Sequence, residues 1–454
     1  MMFTVKWLSQ VLPDYKGNII NQSIQGVYTD SRETMTNGLF VPIIGERFDG
    51  HEFVDQAIAN GAVAVIWGKE KKLPETIPEH ITVFKVDNTL TALQTVASEY
   101  RKLVGPIVIG ITGSNGKTTT KDMVAAILKT TYKTHCTAGN FNNHIGLPLT
   151  ILSMPKDTEA LVVEMGMSHS GEIQLLSTIA KPDYAIITNI GESHIEFLGS
   201  RENIAKAKLE ILAGLSKTGT LVIDGDEPLL SHLHHHDYVK TCGFTAGNDT
   251  QITSTVLKQE QTVFQILDGT TYTIPFLGSH HAKNAALAIT IGKCLHIPTE
   301  KIQTAFDSIM KTGMRFEKRI GKNGVTIIND AYNASATSMK AAIQVVKQME
   351  GFSERVLVLG DILELGAYSE AMHRSIVEVI DKPITKVCTF GKAAKYITEA
   401  MNEQNNQIPA EHYSTKQALL KALQPHLHEK AIILFKASRG LKFEVLITEL
   451  NQSI

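Results

Sequence analysis

The sequence predicts an α/β protein of three domains: a small N-terminal α/β domain, a central mononucleotide-binding domain with a phosphate-binding loop (P-loop), and a C-terminal Rossmann-like domain. Three observations support this fold class. The chain has 454 residues, which corresponds to about three domains at roughly 150 residues per domain. Short apolar runs alternate with longer amphipathic stretches, as in βα units. A glycine-rich turn that ends in Gly116-Lys117-Thr118 lies between a strand pattern and a helix pattern.

Composition and charge narrow the class of protein. The chain carries 44 Lys and Arg residues against 46 Asp and Glu residues, for a formal net charge of −2. This balance excludes a strongly basic protein that coats nucleic acid, so we expect no nucleic-acid partner. Hydrophobic residues make up 43 % of the chain, which is enough to bury sizeable cores.

The cysteines and the N-terminal sequence indicate a cellular compartment. Four cysteines are scattered singly at Cys136, Cys242, Cys294 and Cys388, a pattern typical of a reducing environment. The N-terminal residues show no basic segment followed by an apolar one, and no apolar run approaches about 18 residues. We therefore expect a cytoplasmic protein without a membrane span.

The elements of each region follow from the hydrophobic pattern. In residues 1–87, strands are predicted over 38–44 and 62–67, and a helix over 89–103 leads into the next region. In residues 88–314, strands are predicted over 107–111, 160–163, 184–188 and 220–223, a helix over 117–129, and strand–helix alternation up to about Gly313. In residues 315–454, strands over 325–329, 355–359, 386–390 and 431–435 alternate with helical patterns, which predicts a second doubly wound unit.

The sharpest motif is the glycine-rich segment Gly110-Ile-Thr-Gly-Ser-Asn-Gly-Lys-Thr-Thr-Thr120. Glycines let backbone N–H groups converge on phosphate oxygens, and a helix N-terminus adds its positive dipole end. In such a loop Lys117 reaches the β- and γ-phosphates, and the Thr118 hydroxyl ligates Mg²⁺. The strict spacing requires glycine where Ile111 stands, so an ordinary strand–helix turn is the alternative interpretation. The chain contains no Asn-Lys pair, which argues against a GTPase.

Three more residues are candidates for metal chemistry. Glu164 follows an apolar strand pattern, and His194 lies just beyond another one. Carboxyl ends of parallel strands near a phosphate loop are where magnesium ligands belong. A strand-end carboxylate and a structural histidine are the alternatives. Lys208 lies in a helical pattern and, from spacing alone, is a solvated helix lysine.

Further segments stand in order along the chain: Thr29-Asp-Ser-Arg32, Gly45-Glu-Arg-Phe-Asp-Gly-His-Glu-Phe53, Thr137-Ala-Gly-Asn-Phe-Asn-Asn-His-Ile-Gly-Leu-Pro148, Asn329-Asp-Ala-Tyr-Asn-Ala-Ser335, Gly360-Asp-Ile-Leu-Glu-Leu-Gly366 and Lys436-Ala-Ser-Arg439. Together with the loop they resemble the Mur ligase family of ATP-dependent amide-bond-forming enzymes, over all three regions. The resemblance is strongest to the branch that adds D-alanyl-D-alanine to UDP-N-acetylmuramoyl-tripeptide in peptidoglycan precursor synthesis. In that family the loop follows an Ile-Thr strand end, so Ile111 fits the resemblance.

The resemblance implies a role for each domain. Residues 1–87 would bind the UDP-linked peptide, residues 88–314 would bind ATP, and residues 315–454 would close on ATP and bind D-alanyl-D-alanine. It also implies that Arg315 reaches phosphate and that Asp330 reaches the ribose. The implied ATP contacts are Gly113, Ser114, Asn115, Gly116, Lys117, Thr118, Thr119, Asn284, Arg315, Asp330, Tyr332 and Asn333.

Catalysis and metal binding are implied in the same way. Two Mg²⁺ ions are expected, one held by Thr118 and Glu164 and the second by His194. Lys208 aligns with the lysine that the family carbamylates, which would turn a cation into an anionic metal ligand. Lys117, His194 and Lys208 are therefore the implied catalytic residues. The reaction would pass through an acyl phosphate formed from ATP.

The remaining implied contacts concern the two small-molecule substrates of a monomeric enzyme. They are Ser31, Arg32, Arg47, Asp49, His51, Asn140, Asn142, Asn143, Asp361, Lys436, Ser438 and Arg439. The acidic pair Asp361 and Glu364 is interpreted as serving dipeptide recognition or domain packing, with paired-carboxylate catalysis as the alternative. The histidine cluster over 231–237 is interpreted as a solvated loop.

Two positions depart from the family pattern, and two related activities are alternatives. His281 stands where asparagine is usual, and Ser335-Ala336 replaces a frequent Asn-Pro. A MurE-type amino-acid ligase and a folylpolyglutamate synthase-like ligase are the alternative activities. The MurE type carries an Asp-Asn-Pro segment in its last domain, and this chain has no Asn-Pro pair. A nucleotide-binding regulator without activity is disfavoured because Lys117, Glu164, His194 and Lys208 occur together.

Overall fold

The computed structural model describes residues 2–19, 21–258, 260–309, 313–404 and 406–452. Within these ranges no helix is both long and apolar enough to cross a membrane. The four cysteines are free thiols. By their contacts the residues form two compact units, which are described separately. The first comprises Met1–Thr112, Leu128–Ile186 and Leu209–Leu221, and the second comprises Gly113–Ile127, Ile187–Lys208 and Val222–Ile454.

The elements are numbered along the chain. Up to residue 104 they are β1 (Phe3–Thr4), α1 (Val5–Val11), β2 (Tyr15–Lys16), β3 (Ser23–Ile24), β4 (Gly26–Tyr28), β5 (Gly38–Phe40), α2 (Val54–Ala59), β6 (Ala62–Gly68), β7 (Thr82–Val86) and α3 (Thr89–Val104). From residue 107 to 187 they are β8 (Ile107–Thr112), α4 (Lys117–Lys129), β9 (Thr134–Cys136), α5 (Gly146–Leu152), β10 (Ala160–Glu164), α6 (Glu172–Ala180) and β11 (Tyr184–Ile187).

The next elements, up to residue 307, are α7 (Ile195–Leu198), α8 (Arg201–Leu209), β12 (Thr220–Asp224), β13 (Val239–Gly243), β14 (Thr250–Lys258), β15 (Gln261–Ile266), β16 (Thr271–Ile274), α9 (Ser279–Cys294) and α10 (Thr299–Asp307). The last ones are β17 (Glu317–Ile320), β18 (Thr326–Asn329), α11 (Ala336–Gln348), β19 (Glu354–Gly360), α12 (Ser369–Arg374), β20 (Lys386–Phe390), α13 (Lys395–Glu403), β21 (Ala410–Tyr413), α14 (Lys416–Leu423), β22 (Ala431–Lys436) and α15 (Phe443–Gln452).

The first unit contains a five-stranded sheet of order β2-β7-β6-β5-β4, in which β4 to β7 are parallel and β2 is antiparallel. The side chains of Tyr28, Phe40, Val65 and Trp67 build its core. The unit also contains strands in the order β11-β8-β10-β9, of which β8, β10 and β9 run parallel. The strand predicted over 38–44 is shorter than expected and ends at Phe40, because Pro42 has no N–H to extend the ladder.

Helix α3 shows how local sequence sets the bounds of an element in this unit. The side chain of Asn88 accepts the Thr91 N–H and caps the first turn, which satisfies a donor that the helix leaves open. Gly105 ends the helix in the left-handed conformation, with φ 69°. The apolar face is buried, and the Tyr100 hydroxyl donates to Met154 O over 2.9 Å.

The second unit contains strands in the order β16-β15-β14-β13. Strands β14, β15 and β16 pair antiparallel in sequence, so the prediction of continued strand–helix alternation is wrong between residues 250 and 274. The physical reason is that threonine, valine and isoleucine alternate with polar residues at period two, which favours strands over helices. The Asp268-Gly269 turn joins β15 to β16, and Gly269 has φ 86°, as hairpin turns require.

The same unit holds a six-stranded sheet of order β17-β18-β22-β19-β20-β21. All its neighbours are parallel except β17, which pairs antiparallel with β18. Strands β18 and β22 are buried along their whole length, as expected for a parallel sheet covered on both faces. This is the Rossmann-like architecture predicted for the third region. The three-domain limits near residues 88 and 314 stay a prediction.

A buried arginine ends helix α11. The guanidinium of Arg355 donates to three carbonyl oxygens: Nη2 to Met349 O over 2.6 Å, Nη1 to Phe352 O over 2.8 Å, and Nε to Val346 O over 3.2 Å. The residue is 9 % exposed, and its burial lowers the pKa of the guanidinium. The charge lies where the helix dipole is negative and the last carbonyls lack partners.

Replacing Arg355 with methionine is expected to lower the free energy of unfolding by about 2–4 kcal/mol, because three carbonyls lose a charged donor. Denaturant titration followed by circular dichroism measures this change. Arg374→Met is the matched control, since Arg374 pairs with exposed Glu370 and Glu403 at the surface and such pairs contribute about 0–1 kcal/mol. Equal losses in the two variants would contradict the helix-ending role of Arg355.

Candidate active site

The predicted phosphate loop connects the end of β8 to the start of α4, and two of its glycines have no substitute. Gly113 has φ 149°, and a β-carbon there would lie 1.8 Å from Thr188 Oγ1. Gly116 has φ 78°, and a β-carbon there would lie 2.7 Å from Asn284 Oδ1. At Gly113 both the φ angle and the close neighbour exclude a β-carbon, whereas at Gly116 a β-carbon would strain the backbone and displace the Asn284 side chain. The backbone therefore adopts a loop that side chains at these positions would prevent.

The segment after β11 braces this loop. Asn189 accepts the Asn115 N–H at its Oδ1 over 3.0 Å and the Ser114 N–H at its carbonyl over 3.1 Å. The Ser114 hydroxyl accepts the Gly191 N–H over 2.8 Å. These bonds fix the loop before any ligand arrives. Asn189 is a site residue that the sequence analysis missed, because no spacing rule connects it with a loop some 75 positions earlier.

Two lysines of the second unit, Lys117 and Lys208, are close enough for their charges to repel each other. Lys117 Nζ donates to Gly113 O over 2.8 Å, so its ammonium lies over the phosphate loop. Lys208, on α8, is 1 % exposed. Burial, and then repulsion from Lys117, hold the pKa of Lys208 well below its ordinary value. The structure gives the Lys208 ammonium no hydrogen-bond acceptor among the residues it describes. The expectation of a solvated helix lysine is therefore wrong.

Glu164 ends β10 in the first unit and is 3 % exposed. It pairs in register with Ile111, near the end of the strand that leads into the loop. Its Oε1 accepts a hydrogen bond from Asn142 Nδ2 over 2.7 Å, and its N–H donates to Thr137 Oγ1 over 3.0 Å. A buried carboxylate that accepts a hydrogen bond from an amide suits a cation ligand.

The third sequence region places a second cation at the loop. Arg315 Nη2 donates to Thr118 Oγ1 over 3.0 Å, and its guanidinium lies 4.2 Å from the centroid of the Tyr332 ring. Asp330 accepts the Phe316 N–H at Oδ1 over 3.0 Å and pairs with Lys436 Nζ at Oδ2 over 2.7 Å. The structure thus brings the predicted residues Arg315, Asp330 and Tyr332 together beside Thr118.

Three further predicted or neighbouring residues are held by hydrogen bonds near Asp330 and the phosphate loop: Lys436, Asn333 and Ser335. Lys436 is 2 % exposed and donates to Asn333 O over 3.0 Å. Ser335 caps α11, and its hydroxyl donates to Asn115 Oδ1 of the loop over 3.1 Å. The departure from Asn-Pro therefore keeps a helix cap and adds a bond to the phosphate loop. The ring of His281, the other departure, lies 5.1 Å from that of Phe276.

The residues predicted to bind the UDP-linked substrate divide into exposed and structural ones. Arg32 is exposed and paired with Asp30, and Arg47 and Asn140 are also exposed. The buried His51 ring lies between Asp49, 2.6 Å from Nδ1, and the Gly68 N–H, 3.3 Å from Nε2. The remaining three make contacts within the protein: Ser31 donates to Gln56, Asn142 donates to Glu164, and Asn143 accepts the Gly146 N–H.

Asp361 and Ser438 build a loop. The Asp361 carboxylate accepts the N–H groups of Lys392, Ala393 and Ala394, each over 2.8 Å. Ser438 Oγ accepts the Leu363 N–H over 3.0 Å. These contacts support the packing alternative for Asp361. Arg439 is half-exposed and pairs with Glu444.

The Thr118 hydroxyl and the Glu164 carboxylate, taken singly, are oxygen donors of the kind that Mg²⁺ binds. Among the residues that the structure describes, no three His, Cys, Asp or Glu side chains form a metal-binding group. A hydroxyl, a buried carboxylate and ligand phosphates are the oxygen donors that Mg²⁺ prefers. His194, whose Nδ1 lies 2.5 Å from Glu364 Oε2, keeps its second nitrogen available.

A glycine-bounded phosphate loop with Lys117 over it and Arg315 beside it is typical of an enzyme that transfers or uses a phosphoryl group. Comparison with known proteins sharpens this class. The Mur ligase family catalytic domain matches residues 23–101, the Mur ligase middle domain matches 111–292, and the Mur ligase glutamate ligase domain matches 314–439.

Three similar proteins match nearly the full length of the chain. The UDP-N-acetylmuramoyl-tripeptide–D-alanyl-D-alanine ligase of Bacillus subtilis (strain 168) is 47 % identical, over 99 % of this chain and 98 % of that protein. MurF from Acinetobacter baumannii, in its crystal structure I, has a TM-score of 0.88 and 30 % identity, with 99 % of both chains covered. MurF ligase from Thermotoga maritima, in complex with ADP, has a TM-score of 0.83 and 28 % identity over 94 % of this chain and 97 % of that one.

The chain therefore belongs to the Mur ligase family, and it is an ATP-dependent ligase of the MurF type.

Proposed function

We propose that this ligase joins the amine of D-alanyl-D-alanine to the terminal carboxylate of UDP-N-acetylmuramoyl-tripeptide, a cytoplasmic step of peptidoglycan precursor synthesis. The observation that carries the proposal is the phosphate loop with Lys117 over it and with Arg315 on Thr118. The 47 % identity to a ligase with this name, over nearly the full length, supports the substrates. The free cysteines support a reducing compartment. We also propose that the enzyme is a monomer.

The reaction has two balanced steps. A carboxylate oxygen attacks the γ-phosphorus of ATP, the bond from that phosphorus to the bridging oxygen breaks, and ADP leaves. The uncharged amine then attacks the acyl carbon, phosphate leaves, and the amine proton is released. The first step brings two anions together, so charge neutralisation and positioning supply most of the rate.

Residues of this chain supply the positive charge and position the reacting groups. Lys117 exchanges its bond to Gly113 O for the phosphates. Arg315, whose bond to Thr118 supports this role, donates to phosphate when ATP is bound. Asp330, fixed by Lys436 and the Phe316 N–H, is oriented for the ribose hydroxyls. Asn284, packed against Gly116, contacts the nucleotide.

We propose Thr118 and Glu164 as ligands of one Mg²⁺ ion, and His194 with carbamylated Lys208 as ligands of another. When bound, these ions neutralise phosphate charge and orient the reacting oxygens. The low pKa of Lys208 supports the modification, because only the neutral amine adds CO₂. That addition forms an N–C bond and releases one proton, and it leaves a carbamate in place of the amine.

The proposed substrates predict a double requirement. Phosphate release from ATP should need UDP-N-acetylmuramoyl-tripeptide and D-alanyl-D-alanine together. A coupled phosphate assay measures this, with D-alanine, L-lysine or diaminopimelate replacing the dipeptide as controls. Phosphate release with a single amino acid would identify the chain as an amino-acid-adding ligase. No phosphate release with both proposed substrates would refute the proposal.

A further inference from the structure

Residues 44–49, in the first unit, form a short hairpin that we name the arm. Its two ends pair as an antiparallel bridge, and the Gly45 N–H donates to Phe48 O over 2.9 Å across the turn. Arg47 is exposed, and Phe48 is 70 % exposed. The tip of the arm therefore presents a guanidinium and an aromatic ring side by side, a combination typical of binding surfaces.

A buried histidine ties the base of the arm to the end of β6. His51 is 6 % exposed, and its Nδ1 donates to Asp49 Oδ1 over 2.6 Å. The N–H of Gly68, the last residue of β6, donates to Nε2 over 3.3 Å. The ring also lies edge-on to that of Trp67, with 4.7 Å between the centroids. Both ring nitrogens are thus bonded within the protein.

The two bonds of the His51 ring require the same tautomer. The Gly68 N–H can only donate, so Nε2 carries a lone pair and the ring proton lies on Nδ1. The Asp49 carboxylate can only accept, so it too requires the proton on Nδ1. The neutral ring with this proton satisfies both partners, and no other protonation state does.

Asp49 connects this ring to a second segment. Its Oδ1 also accepts the His51 N–H over 3.0 Å, and its Oδ2 pairs with Lys71 Nζ over 2.8 Å. Burial raises the pKa of Asp49, but the hydrogen bonds from Lys71 and from His51 outweigh it and lower the pKa to about 2. The carboxylate is therefore charged at neutral pH, and both of its oxygens are bonded at the base of the arm.

We propose that Asp49 and His51 are positioning residues, which fix the arm so that Arg47 and Phe48 meet the uridine diphosphate end of the UDP-linked substrate. A guanidinium suits a diphosphate, and an aromatic ring offers a face on which a base stacks. The proposal rests on the proposed function for the identity of the substrate. It replaces the direct contacts implied for Asp49 and His51, because their polar side-chain atoms already bond within the protein.

The test removes the bond between the ring and β6, with and without the tip of the arm. His51→Asn leaves the Gly68 N–H without its acceptor, because the shorter side chain ends where Nδ1 now lies. This change is made in the parent enzyme and in an Arg47→Ala background. His80→Asn, at an exposed histidine of the same unit, is the matched control.

Thermal unfolding establishes that each variant folds. If His51→Asn does not fold, Asp49→Asn takes its place in both backgrounds. The amide oxygen of that asparagine still accepts from the ring, whereas the ion pair with Lys71 is lost.

The first measurement is long-range ¹H–¹⁵N NMR of ligand-free enzyme labelled at histidine. The His51 signals are assigned by their loss in the His51→Asn variant, or by selective labelling if that variant does not fold. We expect the ring proton on Nδ1 at neutral pH in the parent enzyme and in His80→Asn. A ring protonated on Nε2, or on both nitrogens, would overturn the proposal.

The second measurement is the dissociation constant of UDP-N-acetylmuramoyl-tripeptide, by isothermal titration calorimetry, with kcat measured alongside. We expect His51→Asn to weaken binding about tenfold in the parent enzyme and at most about threefold in the Arg47→Ala background, because coupled residues are not additive. At saturating substrate kcat should stay within about twofold of the parent value, since the phosphate loop is untouched. Equal weakening in the two backgrounds, or an equal effect of His80→Asn, would overturn the proposal.

The outcomes separate this proposal from the proposed function. If the parent enzyme does not bind UDP-N-acetylmuramoyl-tripeptide, the proposed substrate is refuted and the role of the arm with it. If the parent enzyme binds this compound and His51→Asn weakens binding equally in both backgrounds, only the positioning role is refuted.

Discussion

Replacing Lys208 with methionine is expected to lower kcat by about 10³-fold or more, because a metal-bound charge at the phosphoryl group is lost. The same change should raise the thermal stability of the ligand-free enzyme. Methionine fills the buried volume without a charge, whereas the lysine ammonium has no described acceptor and is 1 % exposed. If Lys208→Met loses activity and gains stability, Lys208 is a residue that the enzyme retains for function at a cost in stability.

The pH dependence of that stability difference follows from the lowered pKa of Lys208. Between the folded and the unfolded pKa values the unfolded chain binds more protons, so the stability of the parent enzyme rises with pH. The stabilisation from Lys208→Met is therefore largest below the folded pKa and shrinks as pH approaches the ordinary lysine value of about 10.4. Calorimetry at several pH values, in CO₂-free buffer without nucleotide, measures it.

Two controls complete this experiment. Lys206→Met changes a more exposed lysine of the same helix and should alter neither activity nor stability strongly. Addition of ¹³C-bicarbonate to the parent enzyme should give a carbamate carbon signal that Lys208→Met lacks. Full activity of Lys208→Met would refute the proposed role of this residue.

Replacing Lys117 with methionine is expected to lower kcat/KM by about 10³–10⁵-fold, as for cations that act on a transferring phosphoryl group. Without ligand the ammonium donates to Gly113 O over 2.8 Å, a bond that the loop does not need because Asn189 holds the backbone. The variant should therefore fold normally and lose mainly the chemical step. Rapid-quench measurement of the acyl phosphate and isothermal titration with ADP separate that step from binding.

Lys129→Met is the matched control for Lys117→Met, because it removes an exposed cation from the other end of α4. It should leave kcat/KM within about twofold of the parent value, as expected for surface substitutions. If both variants lost activity to the same extent, the effect would be one of helix stability or net charge.

Local sequence predicted the loop well because its structure depends on neighbours along the chain. The helix predicted over 117–129 has those bounds, since glycines, a strand end and helix-forming residues all lie within twenty positions. The strand over 386–390 agrees for the same reason. The antiparallel strands β14, β15 and β16 were not predicted, because strand–helix alternation was expected there. The alternation of apolar and polar residues in this stretch indicates strands instead.

Contacts between distant segments could not be predicted from local patterns. Asn189 at the phosphate loop, Glu364 at His194 and the burial of Lys208 join positions that only tertiary packing brings together. The roles assigned from the family resemblance stay predictions at residue level. The structure supplies contacts that support Arg315 and Asp330, and it gives Asp361 a packing role.

The approach of Gly113 to Thr188 constrains how this enzyme can escape an inhibitor. A β-carbon at Gly113 would lie 1.8 Å from the Thr188 hydroxyl, and one at Gly116 would lie 2.7 Å from the Asn284 amide. No single substitution at either glycine keeps the loop. A compound that bonds only to the backbone of this loop would therefore meet atoms that resistance mutations cannot change without loss of the enzyme's own nucleotide site.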